Sequence, residues 1–513
     1  MNTRVRDGLI TLAAALGLGI ALLAAARLGG LGFPLDDAWI HQTYARNLAR
    51  SGQWAFVEGT PSAGSTSPLW TLLLVPGYLL GIEYHAWTYL LGFAALAGTG
   101  LGVARLAERL DGQAGTLSRH APLLAGLAVA LEWHMVWAAG SGMETVLFAG
   151  LVVWSWWWAL RPSEEGHFSP PGSGHGLLLG LLGGVLTLVR PEGVVVLGLA
   201  GLYGLLRWRE RALLWGVAAG LGFAALFAPY LWLNLQLSGS LWPNTFSAKQ
   251  AEYAVTRQVP YLLRFARLWV AGGGPLIGAQ VLLLPGLAAA GVARVRARDW
   301  RGLLPLGWAV SHLALYAWRL PVTYQHGRYV MPVLPVVVLY GVLGVVRLAR
   351  PAHNRPLPRL ISLSWLAALA LTTPLFLLVL GAPAYARDVR VIETEMVATA
   401  HWLEANTETD ALVAVHDIGA VGYFAGRPLI DLAGLVSPDV IPFIRDEEAL
   451  LELMEREEAE YLVTFPGWYR RIVADSRVCL VYATGGRWAP ESGAENMAVY
   501  ALHWQGQACP GVP

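Results

Sequence analysis

Two adjacent aspartates open the stretch of this chain richest in groups able to do chemistry. Asp36 and Asp37 follow an apolar run at 9–28 and precede a short run with Ile40, Tyr44 and Leu48 on one helical face. A Gly/Pro/Ser loop then leads to a second apolar run at 68–81. An ordinary aspartate is ionised at neutral pH and can take a proton from a reacting hydroxyl. Other charged residues are scattered through apolar sequence. Glu144 lies in Gly142-Met143-Glu144-Thr145, and Arg190 and Glu192 in Arg190-Pro191-Glu192-Gly193. Lys249 follows Trp242-Pro243-Asn244, and His326 and Arg328 lie in His326-Gly327-Arg328-Tyr329. Guanidinium groups match phosphate in a bidentate fork. Isolated charges in an apolar bundle mark functional cavities. Each residue also has a plain reading. Asp36 would cap the helix after it, with Asp37 favoured by the helix dipole, and Arg190 would reach toward headgroups.

The elements that must position these groups are membrane helices. The chain has 513 residues, 55% hydrophobic and 14% charged, where a soluble protein is nearer a quarter charged. Repeated apolar runs of about 20 residues are long enough to span a bilayer. The net charge of +1 comes with no basic stripe, which argues against a nucleic-acid partner. The 23 Trp and 18 Tyr suit interfacial belts, with some free to stack on a sugar. The two cysteines, Cys479 and Cys509, lack metal-ligand spacing and are either free or bridged.

Charge bias sets the topology. Arg4 and Arg6 hold the N-terminus in the cytoplasm, and basic connectors at 105–119, 207–211, 294–301 and 347–359 belong there too. All four fall inside only if the run at 68–81 does not cross. At about 14 residues, roughly 21 Å of helix, it is too short for a core of about 30 Å, so it reads as an interfacial or re-entrant helix. The remaining runs, at 9–28, 86–106, 121–139, 145–160, 176–189, 193–206, 212–235, 275–295, 303–320, 329–346 and 360–380, give eleven crossings. This arrangement brings Asp36, Asp37, Glu144, Arg190, Glu192, Lys249, His326 and Arg328 to the extracytoplasmic side. From 383 onward charge rises. Helical patterns at 391–406 and 447–460 alternate with strand patterns at 411–416, 428–432, 461–465, 479–483 and 497–502. The expected architecture is a polytopic α-helical membrane domain, 1–382, followed by an extracytoplasmic α/β domain, 383–513.

These residues resemble the GT-C superfamily of polyprenyl-phosphate-dependent glycosyltransferases, in its arabinofuranosyltransferase and protein O-mannosyltransferase-like forms. The resemblance rests on Asp36-Asp37, Tyr44-Ala45-Arg46-Asn47-Leu48, Gly64-Ser65-Thr66-Ser67-Pro68-Leu69-Trp70, the Glu144, Arg190 and Arg328 motifs, and Asp417-Ile418-Gly419-Ala420-Val421-Gly422-Tyr423. It implies an outward site, a lipid-phosphate sugar donor and a carboxylate base in the first outer loop. On this reading Asp36 is the base, with Asp37 orienting or sharing that role. Arg190 and Arg328, with Lys249 and His326, meet the donor phosphate. Glu144, Glu192, Tyr44 and Trp70 meet sugar or acceptor, and the glycosyl centre inverts. A divalent metal ion is compatible with two carboxylates and a histidine, although no ligand spacing specifies one. The acceptor is a glycan, lipid or protein. The other readings are a transporter or flippase of lipid-linked sugars and a non-catalytic membrane protein that binds glycans.

Overall fold

The computed structural model describes residues 2–110, 118–161, 172–349 and 355–504. The first helix, α1 (Thr3–Leu28), begins where the Asn2 side chain accepts the Arg4 N–H at 2.9 Å and ends at Gly29. Helix α2 (Asp37–Ser51) starts at the second aspartate and stops at Gly52, whose φ of 70° favours glycine. Its buried residues include Ala38, Trp39, Thr43, Tyr44 and Asn47, too many for a one-sided surface helix. A hairpin of β1 (Ala55–Val57) and β2 (Thr60–Pro61) follows. Asn47 pins it by donating to the Ala55 and Phe56 carbonyls, each at 3.0 Å. Helix α3 (Pro68–Leu79) has 12 residues. At about 1.5 Å per residue it falls short of the bilayer core. Helix α4 (Tyr84–Leu110) is long enough to cross.

Among the described residues six helices have the length and apolarity of membrane spans, or seven if one bent pair is a single span. Shorter apolar helices lie at Pro68–Leu79, Thr145–Ala159 and Ser173–Val189. The expected run at 121–139 is the bent pair, Ala121–Ala130 and Trp133–Gly140, meeting at 50°. Glu132 explains the break. Its side chain accepts the Met135 N–H at 2.9 Å, capping the second helix, and lies 2.6 Å from His134 Nδ1. The bundle packs through small residues. A Cβ at Gly180 would collide with the Ala219 backbone, and one at Gly344 with that of Gly286.

One helical rod runs from Pro356 to Asn406, through position 383 where the composition changes. It leads into a mixed five-stranded sheet. The strands are β3 (Val413–Val415), β4 (Leu429–Asp431), β5 (Tyr461–Thr464), β6 (Val478–Ala483) and β7 (Ala498–Leu502), ordered β4-β3-β5-β7-β6. Strand β3 is parallel to β4 and β5, and β7 is antiparallel to β5 and β6. Glu395 fastens the rod to the sheet by accepting from Met497 N at 2.9 Å and Asn496 Nδ2 at 3.1 Å. Cys479, on β6, is disulfide-bonded; Cys509 lies outside the described residues.

Candidate active site

Asp37 is the first residue of α2, and two cations reach it from distant parts of the chain. Lys249, from the helix Asn244–Glu252, donates to Asp37 Oδ2 at 3.1 Å. Arg328 donates to the same oxygen, and both cations also donate to the Tyr329 hydroxyl at 3.1 Å. The backbone before Arg328 turns sharply, with φ of 54° at Gln325 and 57° at His326. Non-glycine residues rarely adopt such values, and here they coincide with a site.

A second charged group faces the first. Arg190 Nε lies 3.0 Å from Glu192 and 3.5 Å from Glu144. The Tyr316 hydroxyl donates to Glu192 at 2.5 Å and accepts from Arg190 at 3.3 Å. His41 Nε2 is 3.7 Å from Glu144.

Both groups line one cavity of about 480 Å³. Its apolar wall includes Trp242, Phe246, Trp318 and Leu320, with the Arg319 guanidinium over Phe246 and Trp318. Several buried polar atoms of its lining have no hydrogen-bond partner among the described residues. They are Arg190 Nη1, Arg328 Nε and Nη1, and Glu144 Oε2. Buried polar groups are nearly always satisfied, so water or a ligand is expected against this set.

Of the residues picked out from sequence, Asp37, Glu144, Arg190, Glu192, Lys249 and Arg328 converge on the cavity. Four do not line it. Asp36 points the other way, its two oxygens accepting the N–H groups of Gly419 at 2.7 Å and Ala420 at 2.8 Å. It also makes no side-chain cap on α2. His326 pairs with Asp388 at 2.8 Å, edge-on to Trp133 and Trp137. The Tyr44 hydroxyl is bound by Ser62 at 2.6 Å and Gly64 N at 3.0 Å, which shapes the loop. Trp70 donates to the Gly142 carbonyl at 2.9 Å. Residues overlooked in the sequence are His41, Thr245, Gln250, Tyr316 and Tyr329. His41 lies one turn after Asp37, so helical spacing could have found it. Tyr316 sits inside an apolar run and carried no signal.

Electrostatics separate the paired aspartates. Burial would raise Asp37, but the charges of Lys249 and Arg328 overcome it and hold the carboxyl far below the usual range. Lys249, lowered by burial but raised more by Asp37, ends above its ordinary value. Asp36 moves oppositely: burial and nearby Asp417 push it up to about 8, against the two backbone N–H donors. Asp417 is raised to about 6 by burial, with His416 opposing. A carboxyl turned from the cavity, with both oxygens taken up by backbone N–H groups, is poorly placed as a base. Among the described residues no three His, Cys, Asp or Glu side chains cluster to hold a metal. Asp37 and Glu144 already face protein cations, so the carboxylates of the cavity do not fit a divalent ion.

The whole fold has solved counterparts. ArnT from Cupriavidus metallidurans, in a structure bound to undecaprenyl phosphate, aligns over 96% of this chain and 98% of its own, with TM-score 0.57 and 15% identity. The oligosaccharyltransferase of Archaeoglobus fulgidus aligns over 87% of this chain and 67% of its own, with TM-score 0.58 and 14% identity. The chain has the GT-C fold. In sequence, the chain is 31% identical over 229 residues to the terminal beta-(1->2)-arabinofuranosyltransferase of Mycobacterium tuberculosis. That match spans 42% of the chain and 35% of the relative. Residues 372–504 match a family described as a domain of unknown function, DUF8728.

Proposed function

We propose that this protein is a multi-pass membrane glycosyltransferase that moves a sugar from a polyprenyl-phosphate donor to a hydroxyl acceptor. The reading rests on the cavity's polar atoms without partners: guanidinium donors suited to a phosphate and a carboxylate oxygen suited to a sugar hydroxyl. The lipid tail lies along Trp242, Phe246, Trp318 and Leu320, and the phosphate meets Arg328, Lys249 and Arg190. Glu144 and Glu192 hold Arg190 in place, and Glu144 Oε2 receives a sugar hydroxyl. A polyprenyl-phosphate ligand is in keeping with ArnT, a protein of the same fold, whose structure holds undecaprenyl phosphate.

In the transfer step the acceptor oxygen forms a bond to the anomeric carbon while the carbon–oxygen bond to phosphate breaks. Asp37 takes the acceptor's proton, and the polyprenyl phosphate leaves with the bonding pair and its negative charge. The single displacement inverts the anomeric centre. Before donor binds, Lys249 and Arg328 make Asp37 a weak base. A donor phosphate shared between the same cations offsets their pull, so basicity rises when donor is bound. The geometry thus favours Asp37 as base and leaves Asp36 another task.

The eleven-crossing topology, with the cavity and the C-terminal sheet on the extracytoplasmic side, belongs to the same proposal. The acceptor is a glycan, lipid or protein. The test is purified protein in proteoliposomes with a radiolabelled polyprenyl-phosphate sugar and a pool of cell-envelope acceptors. Label moving to an acceptor, with free polyprenyl phosphate released, supports the reading. Intact donor crossing the bilayer without transfer identifies a transporter instead.

A further inference from the structure

Helix α2 grips one segment of the C-terminal sheet region at both ends. The segment is the turn Ile418–Ala420, continued as a π-turn through Val421–Ala425. At its start, the residue in capping position, Asp417, makes no side-chain cap. The two N–H groups that a cap would satisfy, on Gly419 and Ala420, bind Asp36 instead. At its end, the Arg46 guanidinium donates to the Tyr423 and Gly422 carbonyls and lies 4.4 Å from the Tyr423 ring centroid. A carboxyl acceptor therefore sits at the N–H end of the turn and a cation at its carbonyl end, both supplied by α2 or the residue before it. Between them Trp39 packs on Tyr423 and Phe424, with ring centroids at 5.0 and 4.7 Å. The approach at the first end needs glycine: a Cβ on Gly419 would meet the Asp36 backbone oxygen and stand 2.6 Å from Oδ2.

The residue after Asp36 is Asp37. Whatever holds Asp36 thus fixes the start of α2 and the direction of the carboxylate in the cavity. We infer that Asp36 and Arg46 form a clamp by which the C-terminal sheet sets Asp37, so that Asp36 is a positioning residue and the sheet is part of the catalytic apparatus. Asp417, which does not cap the turn, lies near enough to feel His416, Asp37 and Lys249. The inference rests on the proposed role of Asp37, but the clamp itself is measurable without any activity.

The experiment uses the full-length protein with Gly419→Ala, Asp36→Asn, Arg46→Gln and Arg46→Lys. Hydrogen exchange reads the Gly419 and Ala420 amides, transfer of labelled sugar gives kcat and KM, and donor binding is measured separately. In the unmodified protein both amides are protected. Gly419→Ala keeps both acidic side chains and breaks only the fit. It speeds exchange at those amides and lowers kcat about 10- to 100-fold, the usual loss when a reacting group is misplaced by an ångström or so. KM and donor affinity stay within about twofold. Asp36→Asn and Arg46→Gln fall in the same range, while Arg46→Lys, which keeps the cation, recovers most of kcat. If Asp36→Asn reduces transfer to background while Gly419→Ala leaves kcat intact, Asp36 is the reacting carboxylate and the inference fails. Unprotected amides in the unmodified protein sink the clamp even if transfer is robust. Protected amides that Asp36→Asn exposes, in a protein without transfer activity, sustain the clamp and remove only the proposed function.

Discussion

The two charged ends of the site, which meet at the Tyr329 ring, use the same residue types in opposite proportions. At one end two cations, Lys249 and Arg328, share one carboxylate, Asp37. At the other a single cation, Arg190, is shared by two carboxylates, Glu144 and Glu192. In formal charge the first end is 2 − 1 = +1 and the second 1 − 2 = −1. A ligand with an anionic phosphate and a hydroxyl-rich sugar matches this polarity in one orientation. On the proposed function the phosphate would sit among Lys249, Arg328 and the adjoining Arg190, and the Glu144 and Glu192 side would accept hydrogen bonds from the sugar. A cavity walled by apolar side chains strengthens both effects, because the local dielectric is low.

The strongest way to break this comparison is at the positive end. Asp37→Asn should lower kcat by roughly 10²–10⁴-fold, the range for loss of a general base, while labelled donor still binds. Near-full transfer by that variant would leave the base unassigned. Arg328→Gln should act differently, weakening binding of polyprenyl phosphate about 10²-fold, as expected for a charge-assisted contact worth roughly 1.5–3 kcal/mol. Equal donor affinity in that variant would move the phosphate elsewhere. At the negative end Glu144→Gln keeps the shape but halves the negative charge around Arg190. It should cost about tenfold in kcat/KM through one weakened sugar hydrogen bond, with affinity for sugar-free polyprenyl phosphate unchanged. A large loss of that affinity would erase the distinction between the two ends.

The smallest effect concerns the wall of the site. Glu252 and His416, 3.5 Å apart, join the helix carrying Lys249 to the C-terminal sheet. Burial raises Glu252, but the hydrogen bond and charge of His416 outweigh it, and it ends below its ordinary 4.5. Burial lowers His416, but Glu252 and Asp417 outweigh it, and it ends above its ordinary 6.5. The histidine's contribution is complete below pH 6.5 and disappears as pH rises through its folded value. The glutamate's is complete above pH 4.5 and disappears as pH falls through its folded value. The pair therefore stabilises most between these two pH values. Melting in detergent should show Tm falling from pH 6.5 to 8. His416→Ala should flatten that slope; an unchanged slope would assign it to other groups.

Much of this was legible in the chain. Apolar runs separated by basic connectors gave the bundle, because a bilayer imposes length and hydropathy on each helix. The short run at 68–81 was recognisable as too short to cross, and alternation after 383 marked the sheet. Six charged residues that line the cavity stood out because charge is costly in an apolar setting and needs a reason. Tertiary structure alone decided which of two neighbouring aspartates faces that cavity. Asp36 and Asp37 are identical in type and environment along the chain. They differ because the Gly419 and Ala420 amides, nearly 400 positions away, claim one, and Lys249 and Arg328 claim the other. His326 was misread for the same reason: Asp388 holds it on the far side of a left-handed turn. Local sequence fixes what a side chain is able to do, whereas partners distant in the chain fix where it points and whether it is ionised.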